Sequence, residues 1–493
     1  MTEHVEEQIR RGLRLLAEDV QPPDKGRASL RLGRALAVAV AVVAIIAATA
    51  FGVLGRGHGT QPHFLADPFN YQPGSPGGGI GLDAPTDYIT AGLSSVSAAS
   101  RDVAWIVGSG PCCNGAQSPT AAQHSLAWRW NGAAWRSVPT PLVSHAYPNL
   151  SSVATIDSGN AWAVGSARTF MRSGHIRRPG PYHALIEHWD GSRWNIVQTP
   201  PLGWSSLGAV SAAGPRNIWA VGEHLLPVGR FRREARIRPL VLHWDGAAWH
   251  RVHLPWAVPG LTLDQVVVVG PSSVWVAGNR YQDRRRNNDV DTPILEYWDG
   301  ARWHAVRAPF GPHDPFADFT ATSGSDAWAV GSYRSRRSPF SRPLAAHWNG
   351  SDWQIAPVPN RAGKQRDSYF MDVVAVRSND VWAVGQSWWG AKTAALLEHW
   401  DGQNWQVMPG AAPQIEGGAG LAVANDGTAW AIASSSCDNI VLRWNSDVWA
   451  VSSHPQDRSL DPHLPNLPQY RLPRCKPLGG WLPGPTGATG PTG

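Results

Sequence analysis

Arginine is concentrated in four short stretches of this 493-residue chain. The first holds Arg168, Arg172, Arg177 and Arg178, and the second, "GRFRREARIRPL", holds Arg230, Arg232, Arg233, Arg236 and Arg238. The third, "NRYQDRRRNND", supplies Arg280, Arg284, Arg285 and Arg286, and the fourth, "YRSRRSPFSRP", supplies Arg334, Arg336, Arg337 and Arg342. A guanidinium carries a permanent charge on a planar fork of donors that matches carboxylate or phosphate oxygens, so such clusters favour anionic groups. A formal net charge of +6 understates that local field. A fifth stretch, "QSWWGAK", offers the adjacent Trp388 and Trp389, whose faces could stack on a sugar ring or enter a partner's pocket.

All of these stretches fall at the same place in a repeating unit. Each of seven units opens its framework with a phrase close to "AWAVG", with Trp at 105, 162, 219, 275, 328, 382 and 430. Each closes it with a phrase close to "HWDGxxW", which sets the pairs Trp130 and Trp135, Trp189 and Trp194, Trp244 and Trp249, Trp298 and Trp303, Trp348 and Trp353, Trp400 and Trp405, and Trp444 and Trp449. These positions take up 21 of the 27 tryptophans, so the period is a property of the chain and not of its composition. Within unit two the order is strand "LSSVATI", turn "DSGN", strand "AWAVGSA", loop, strand "HALIEHW", turn "DG", strand "SRWNIVQ". The Asp-Gly or Asn-Gly step supplies the positive φ of a tight hairpin, and a loop of two or four residues leaves both tryptophans on one face. The arginines and Trp388–Trp389 then lie in loops between second and third strands, all at one rim.

A four-stranded sheet cannot cover both of its faces alone, and repeats of about 50 residues with four strands mark propeller blades. On the two signatures the chain resembles the kelch and galactose-oxidase-like β-propellers from Gly92 to about Ser453. The resemblance implies an all-β, seven-bladed propeller of four-stranded antiparallel blades, and no active site is carried over from it. In the seventh unit, "RWNSDVW" puts Ser446 where the other turns have Gly.

Each unit contains its own four strands, so ring closure calls for a latch other than strand exchange. Cys112 and Cys113 in unit one and Cys437 in unit seven occupy equivalent loops, which makes them disulfide candidates, with Cys475 taking the remaining thiol. His188, His243, His347 and His399 recur one residue before a signature Trp, which puts them on separate sheets as hairpin residues and not together as metal ligands. No catalytic residue, metal or cofactor is assigned.

Outside the repeats, Ala35 to Leu54 is uncharged and at about 1.5 Å per helical residue spans about 30 Å of hydrocarbon. Lys25, Arg27, Arg31 and Arg34 precede it, which orients the N-terminus toward the cytoplasm and the repeats outward. A cleaved signal peptide ending at Ala48-Thr49-Ala50 is the rival reading. The expected organisation is a cytoplasmic amphipathic helix and basic flank over 1–34, a transmembrane helix over 35–54, a linker over 55–90, the propeller over 91–453, a Pro-rich tail over 454–483 and a collagen-like Gly-x-y tail over 484–493. This predicts a protein of the cell membrane whose extracytoplasmic propeller is a non-catalytic binding or scaffold module. Its partners would be an anionic polysaccharide or cell-wall polymer, a lipid headgroup or a protein. Nucleic acid suits the charge but not the compartment. A sialidase-like hydrolase or lyase, and a surface adhesin or assembly factor, are the alternatives.

Overall fold

The computed structural model describes residues 92–453 apart from 110–124, 145, 174–175, 227–236, 281–291, 311–315, 335–339, 360–366, 390–391, 409–416, 435–438, 445 and 447. The expected membrane helix at 35–54, the cytoplasmic helix, both tails and all four cysteines lie outside these residues. Among the described residues no helix is long and apolar enough to cross a membrane.

All 28 elements are β-strands, from β1 (Gly92–Ser100) to β28 (Trp449–Ser453). They form five four-stranded antiparallel sheets and one of eight strands. In the large sheet two consecutive meanders, β1 to β4 (Trp135–Ser137) and β5 (Ala146–Asp157) to β8 (Trp194–Ile196), are joined through the single pair Ser109↔Asn149 between β2 (Val103–Ser109) and β5. The seven sequence units therefore lie in six hydrogen-bonded sheets.

The tight hairpin in each unit has four loop residues. In unit two β7 (Ile176–Trp189) and β8 (Trp194–Ile196) meet with Trp189 directly opposite Trp194. Gly191 takes φ +95°, and the Asp190 carboxylate accepts the backbone N–H groups of Ser192 and Arg193 at 2.9 and 3.0 Å. Those donors and the Ser192 hydroxyl hold its pKa below the usual carboxylate range. Ser446 adopts φ +83° in unit seven, the left-handed region that a side chain disfavours.

The first strand of every unit carries a bulge opposite the last residue of the "AWAVG" phrase, as at Leu150/Ser152 opposite Gly165 and Val164. A Cβ on Gly165 would fall 1.9 Å from the Asn149 carbonyl oxygen, so the bulge and the glycine require one another. In unit seven Ala433 replaces that glycine, and the bulge there falls between Gly417 and Ala419.

Seven apolar clusters fill the seams, each shared by two successive units. The tryptophans form a recurring wedge: Trp105 of unit one lies 4.9 Å from Trp189 and 4.8 Å from Trp194 of unit two. Trp162 meets Trp244 and Trp249, Trp328 meets Trp400 and Trp405, and Trp382 meets Trp444 and Trp449 in the same way. Buried indole N–H groups of Trp194, Trp249, Trp405 and Trp449 have no hydrogen-bond acceptor. Their rings stand edge-on to the preceding unit's Trp at 76 to 89°, which offers the N–H an aromatic face.

One cluster joins Ala422, Trp430, Ile432 and Val441 of unit seven to Val96, Ile106, Trp130 and Trp135 of unit one. The Arg101 N–H donates to Asp426 Oδ2 at 2.9 Å, and the Trp135 indole donates to Ser452 Oγ at 3.2 Å. The ring of units is thus closed by packing and hydrogen bonds between its two ends.

Candidate binding face

The connection between second and third strands leaves each sheet at the end where the first strand begins, as the pairs Leu225↔Trp204, Arg280↔Leu261 and Trp388↔Asp367 show. Two of the expected loops are extended ribbon instead. In unit two β6 (Asn160–Ser173) and β7 pair as far as Arg172↔Arg177 and Met171↔Arg178, so the arginines stand on a long two-stranded arm. In unit six Trp388 pairs with Thr393 and Trp389 with Lys392, placing both tryptophans in β22 (Asp380–Trp389).

Of the other predicted contacts, Arg238 stands opposite His224 in β11 (Ile237–Trp244), and exposed Arg334 donates to Ser341 Oγ at 3.3 Å. Arg230, Arg232, Arg233, Arg236, Arg284, Arg285, Arg286, Arg336 and Arg337 lie outside the described residues.

The recurring histidines are committed to the framework. His188 Nε2 lies 3.1 Å from Asn160 Oδ1 and its ring stacks 4.3 Å from Trp162; His243 does the same with Asn217 and Trp219. His347 and His399 reach Asp326 and Asp380 at 2.5 and 2.9 Å and cover Trp328 and Trp382. Tyr297 takes this place in unit four, stacked on Trp275, while Arg129 and Arg443 take it in units one and seven over Trp105 and Trp430. Each of the four histidines is half-buried with an oxygen partner in its own unit, and among the described residues no three His, Cys, Asp or Glu side chains gather to hold an ion.

Sequence reasoning missed the groups on the axial strands. The first strands contact one another in order, and the last of them, β25 (Gly417–Val423), contacts β1. Polar side chains on these strands tie each unit to the next: Ser95 accepts the Val153 N–H, Ser152 the Val210 N–H, and Ser211 the Val268 N–H at 3.3, 3.2 and 3.0 Å. In units five and six the accepting groups are carboxyls. Asp318 accepts the Val373 N–H and Asp372 the Leu421 N–H, both at 2.8 Å. Burial raises both carboxyls above the usual carboxylate range, and for Asp318 the neighbouring Asp372 raises it further. Their sequence signal was position: each follows the bulge where units one and two have Ser95 and Ser152.

No protein-family model and no curated protein matches the chain. Solved structures similar to it include YCF48 bound to D1 peptide, at 16% identity and TM-score 0.43 over 73% of this chain and 95% of that one. An ulvan lyase of polysaccharide lyase family PL25 is 8% identical, with TM-score 0.44 over 73% and 95% of the two chains. The β-propeller domain of the Trilobed protease from Pyrococcus furiosus is 8% identical, with TM-score 0.43 over 75% and 99%. The chain is all-β, and its repeated four-stranded antiparallel sheets resemble propeller blades; the kelch resemblance gains no family match.

Proposed function

We propose that this chain is a seven-bladed β-propeller, with the eight-stranded sheet counted as two blades joined by one pair, acting as a non-catalytic binding or scaffold module. Residues 35–54 anchor it, and the propeller faces away from the cytoplasm. The ligand is an anionic glycan, a cell-wall polymer or a protein carrying acidic groups, held at the rim where second and third strands connect. One observation carries this reading: the repeated His, Asn and Asp side chains are consumed in holding the sheets, whereas the arginine-bearing connections differ from unit to unit. Variation on a fixed frame is how binding surfaces are built.

The test is an array of anionic and neutral glycans, cell-wall polymers and acidic peptides probed with the full chain in detergent micelles. Binding to anionic members that weakens with salt, and weakens further when Arg230, Arg232, Arg233, Arg284, Arg285 and Arg286 become Ser, is the expected result. Equal retention of neutral and anionic members, or indifference to the six substitutions, would overturn it.

The neighbouring Asp318 and Asp372 favour a second reading, a hydrolase or lyase on the same scaffold, because two adjacent carboxyls whose pKa values are raised can divide general acid and base roles. New reducing ends or unsaturated uronates formed from a polysaccharide by the wild-type chain, and lost in Asp372→Asn, would establish it. Absence of cleavage across the array's ligands would retire it.

A further inference from the structure

The face of unit three that packs on unit two ends in a group of basic side chains. Ile218 and Ala220 of β10 (Ile218–Leu225) and Leu240 and Leu242 of β11 lie in the apolar cluster shared with Trp162, Val164 and Ile186 of unit two. Strand alternation puts His224 and Arg238 on that same face, directly opposite one another, and Arg251 follows from the end of β12 (Trp249–Arg251), opposite Leu242. His224 is buried, and the Arg251 Nη2 atom straddles its ring nitrogens at 3.4 Å from Nδ1 and 3.3 Å from Nε2. Both charges acting on the imidazole, those of Arg251 and Arg238, are positive, and with burial they push its pKa down to about 4.

Unit two contributes from across the seam. The Ala184 N–H donates to Ser205 Oγ at 3.2 Å, and Ser205 is the strand partner of His224. Two residues before Ala184 comes Tyr182, paired with Arg168, whose guanidinium lies 4.9 Å from the phenol ring centroid. Arg168 shares its strand face with Trp162 and Val164, so it too is directed to this seam, and its buried Nε has no hydrogen-bond partner among the described residues.

We propose that Arg168, His224, Arg238 and Arg251 form an oxyanion subsite in the seam between units two and three, taking one phosphate, sulfate or carboxylate group of the ligand. The Arg251 and Arg238 guanidinium groups beside a buried imidazole repel one another, with Arg168 directed to the same seam from unit two, and an oxyanion among them converts that repulsion into charge-assisted hydrogen bonds. Tyr182 holds Arg168 by its π face and leaves the guanidinium edge, with Nε, for the anion. Arg251 is exposed and Arg238 half-buried, so the group is reached from solvent without opening the seam. The inference deepens the anionic-ligand reading above and rests on it only for the nature of the natural ligand.

Titration calorimetry of the full chain in micelles with inorganic phosphate tests it, alongside the imidazole resonances of His224. The expected result is saturable binding that shifts the His224 signals and weakens by about tenfold or more in Arg251→Gln and in Arg168→Gln, the loss of one charge-assisted contact. Arg136→Gln, on the exposed edge strand of unit one, should bind as wild type does. Arg251→Lys keeps charge but not the fork, and an intermediate affinity in that variant guards against loss of fold as the cause. No phosphate binding, or equal binding in the Arg251→Gln and wild-type chains, overturns the subsite. Phosphate binding here with no polymer retained on the array would leave the subsite standing and remove the polymer reading; polymer binding indifferent to Arg251→Gln would do the reverse.

Discussion

The seam between units one and two and the seam that closes the ring are built on the same plan from residues far apart in the chain. In the first, Arg129 lies 5.8 Å from the Trp105 centroid and 5.4 Å from that of Trp189, and its Nη2 shares the Ser158 carbonyl with the Trp189 indole. In the closing seam Arg443 lies 5.6 Å from Trp430 and 5.2 Å from Trp130, and it shares the Arg101 carbonyl with the Trp130 indole. The differences are few. Glu187 faces unit one and meets Ser125 at 3.1 Å, whereas Trp128 holds the matching place in the closing seam; unit seven also departs at Ala433 and Ser446. The ring of units therefore closes on the ordinary wedge of its internal seams.

That equivalence can be broken most directly at the wedge. Trp105→Ala and Trp430→Ala should each cost about 3–5 kcal/mol in denaturant unfolding, since both indoles are fully buried. A loss below about 1 kcal/mol at Trp430 alone would mean that the closing seam stands open in solution. Next comes the bulge: Gly165→Ala should cost about 3 kcal/mol, because its Cβ meets a carbonyl oxygen, while Ala433→Gly in unit seven should change stability by less than about 1 kcal/mol.

The buried Glu187 carboxyl gives the internal seam a pH dependence of its own. Burial raises the Glu187 pKa to about 7, partly offset by the Ser125 hydrogen bond. An acid whose folded pKa is raised is neutral in both states at low pH, so its contribution is fully present below the unfolded pKa and is lost as pH rises through about 7. Wild-type stability relative to Glu187→Gln should fall by up to about 3 kcal/mol between acid and mildly alkaline pH in urea unfolding curves. Trp128→Phe, at the matching place in the closing seam, should leave the pH slope unaltered. The smallest effect is at the closing unit's hairpin, where Ser446→Gly should raise stability by about 1 kcal/mol by removing a side chain from the left-handed region. No gain would show that the Ser446 side chain compensates for its own backbone.

The tryptophan period made the units, their four strands and the face shared by the paired indoles legible, because each is set by local chemistry; two and four loop residues suit that face equally, and only the pairing of the two indoles decides for four. The same was true of the histidines, whose recurrence before a Trp placed them on separate sheets as hairpin residues. The arm of unit two was read as a loop because its arginines and prolines show no alternating apolar pattern, yet backbone pairing alone extends it to Ser173 and Ile176. Asp318 and Asp372 were passed over for another reason: a carboxyl on the axis is defined by a bulge, and a bulge shifts strand parity by one, which hides the position from a period-two reading. Glu187 carries no sequence signal of its burial, because the partner that meets it, Ser125, belongs to another unit. His224, Arg251 and Arg168 meet only through a seam, and no spacing within one unit reports that.

Seven separate seam clusters in place of one central core also have a consequence for how the chain comes to be folded. Six of the clusters join neighbours in the sequence, so units can stack one after another as they leave the ribosome, each new unit covering the indole left bare by the last. The seventh joins partners as far apart as Arg101 and Asp426, 325 residues, and only it has to wait for the whole chain. Until that moment the nascent stack carries an uncovered tryptophan face at each end, the two surfaces on which misassembly with another copy would begin.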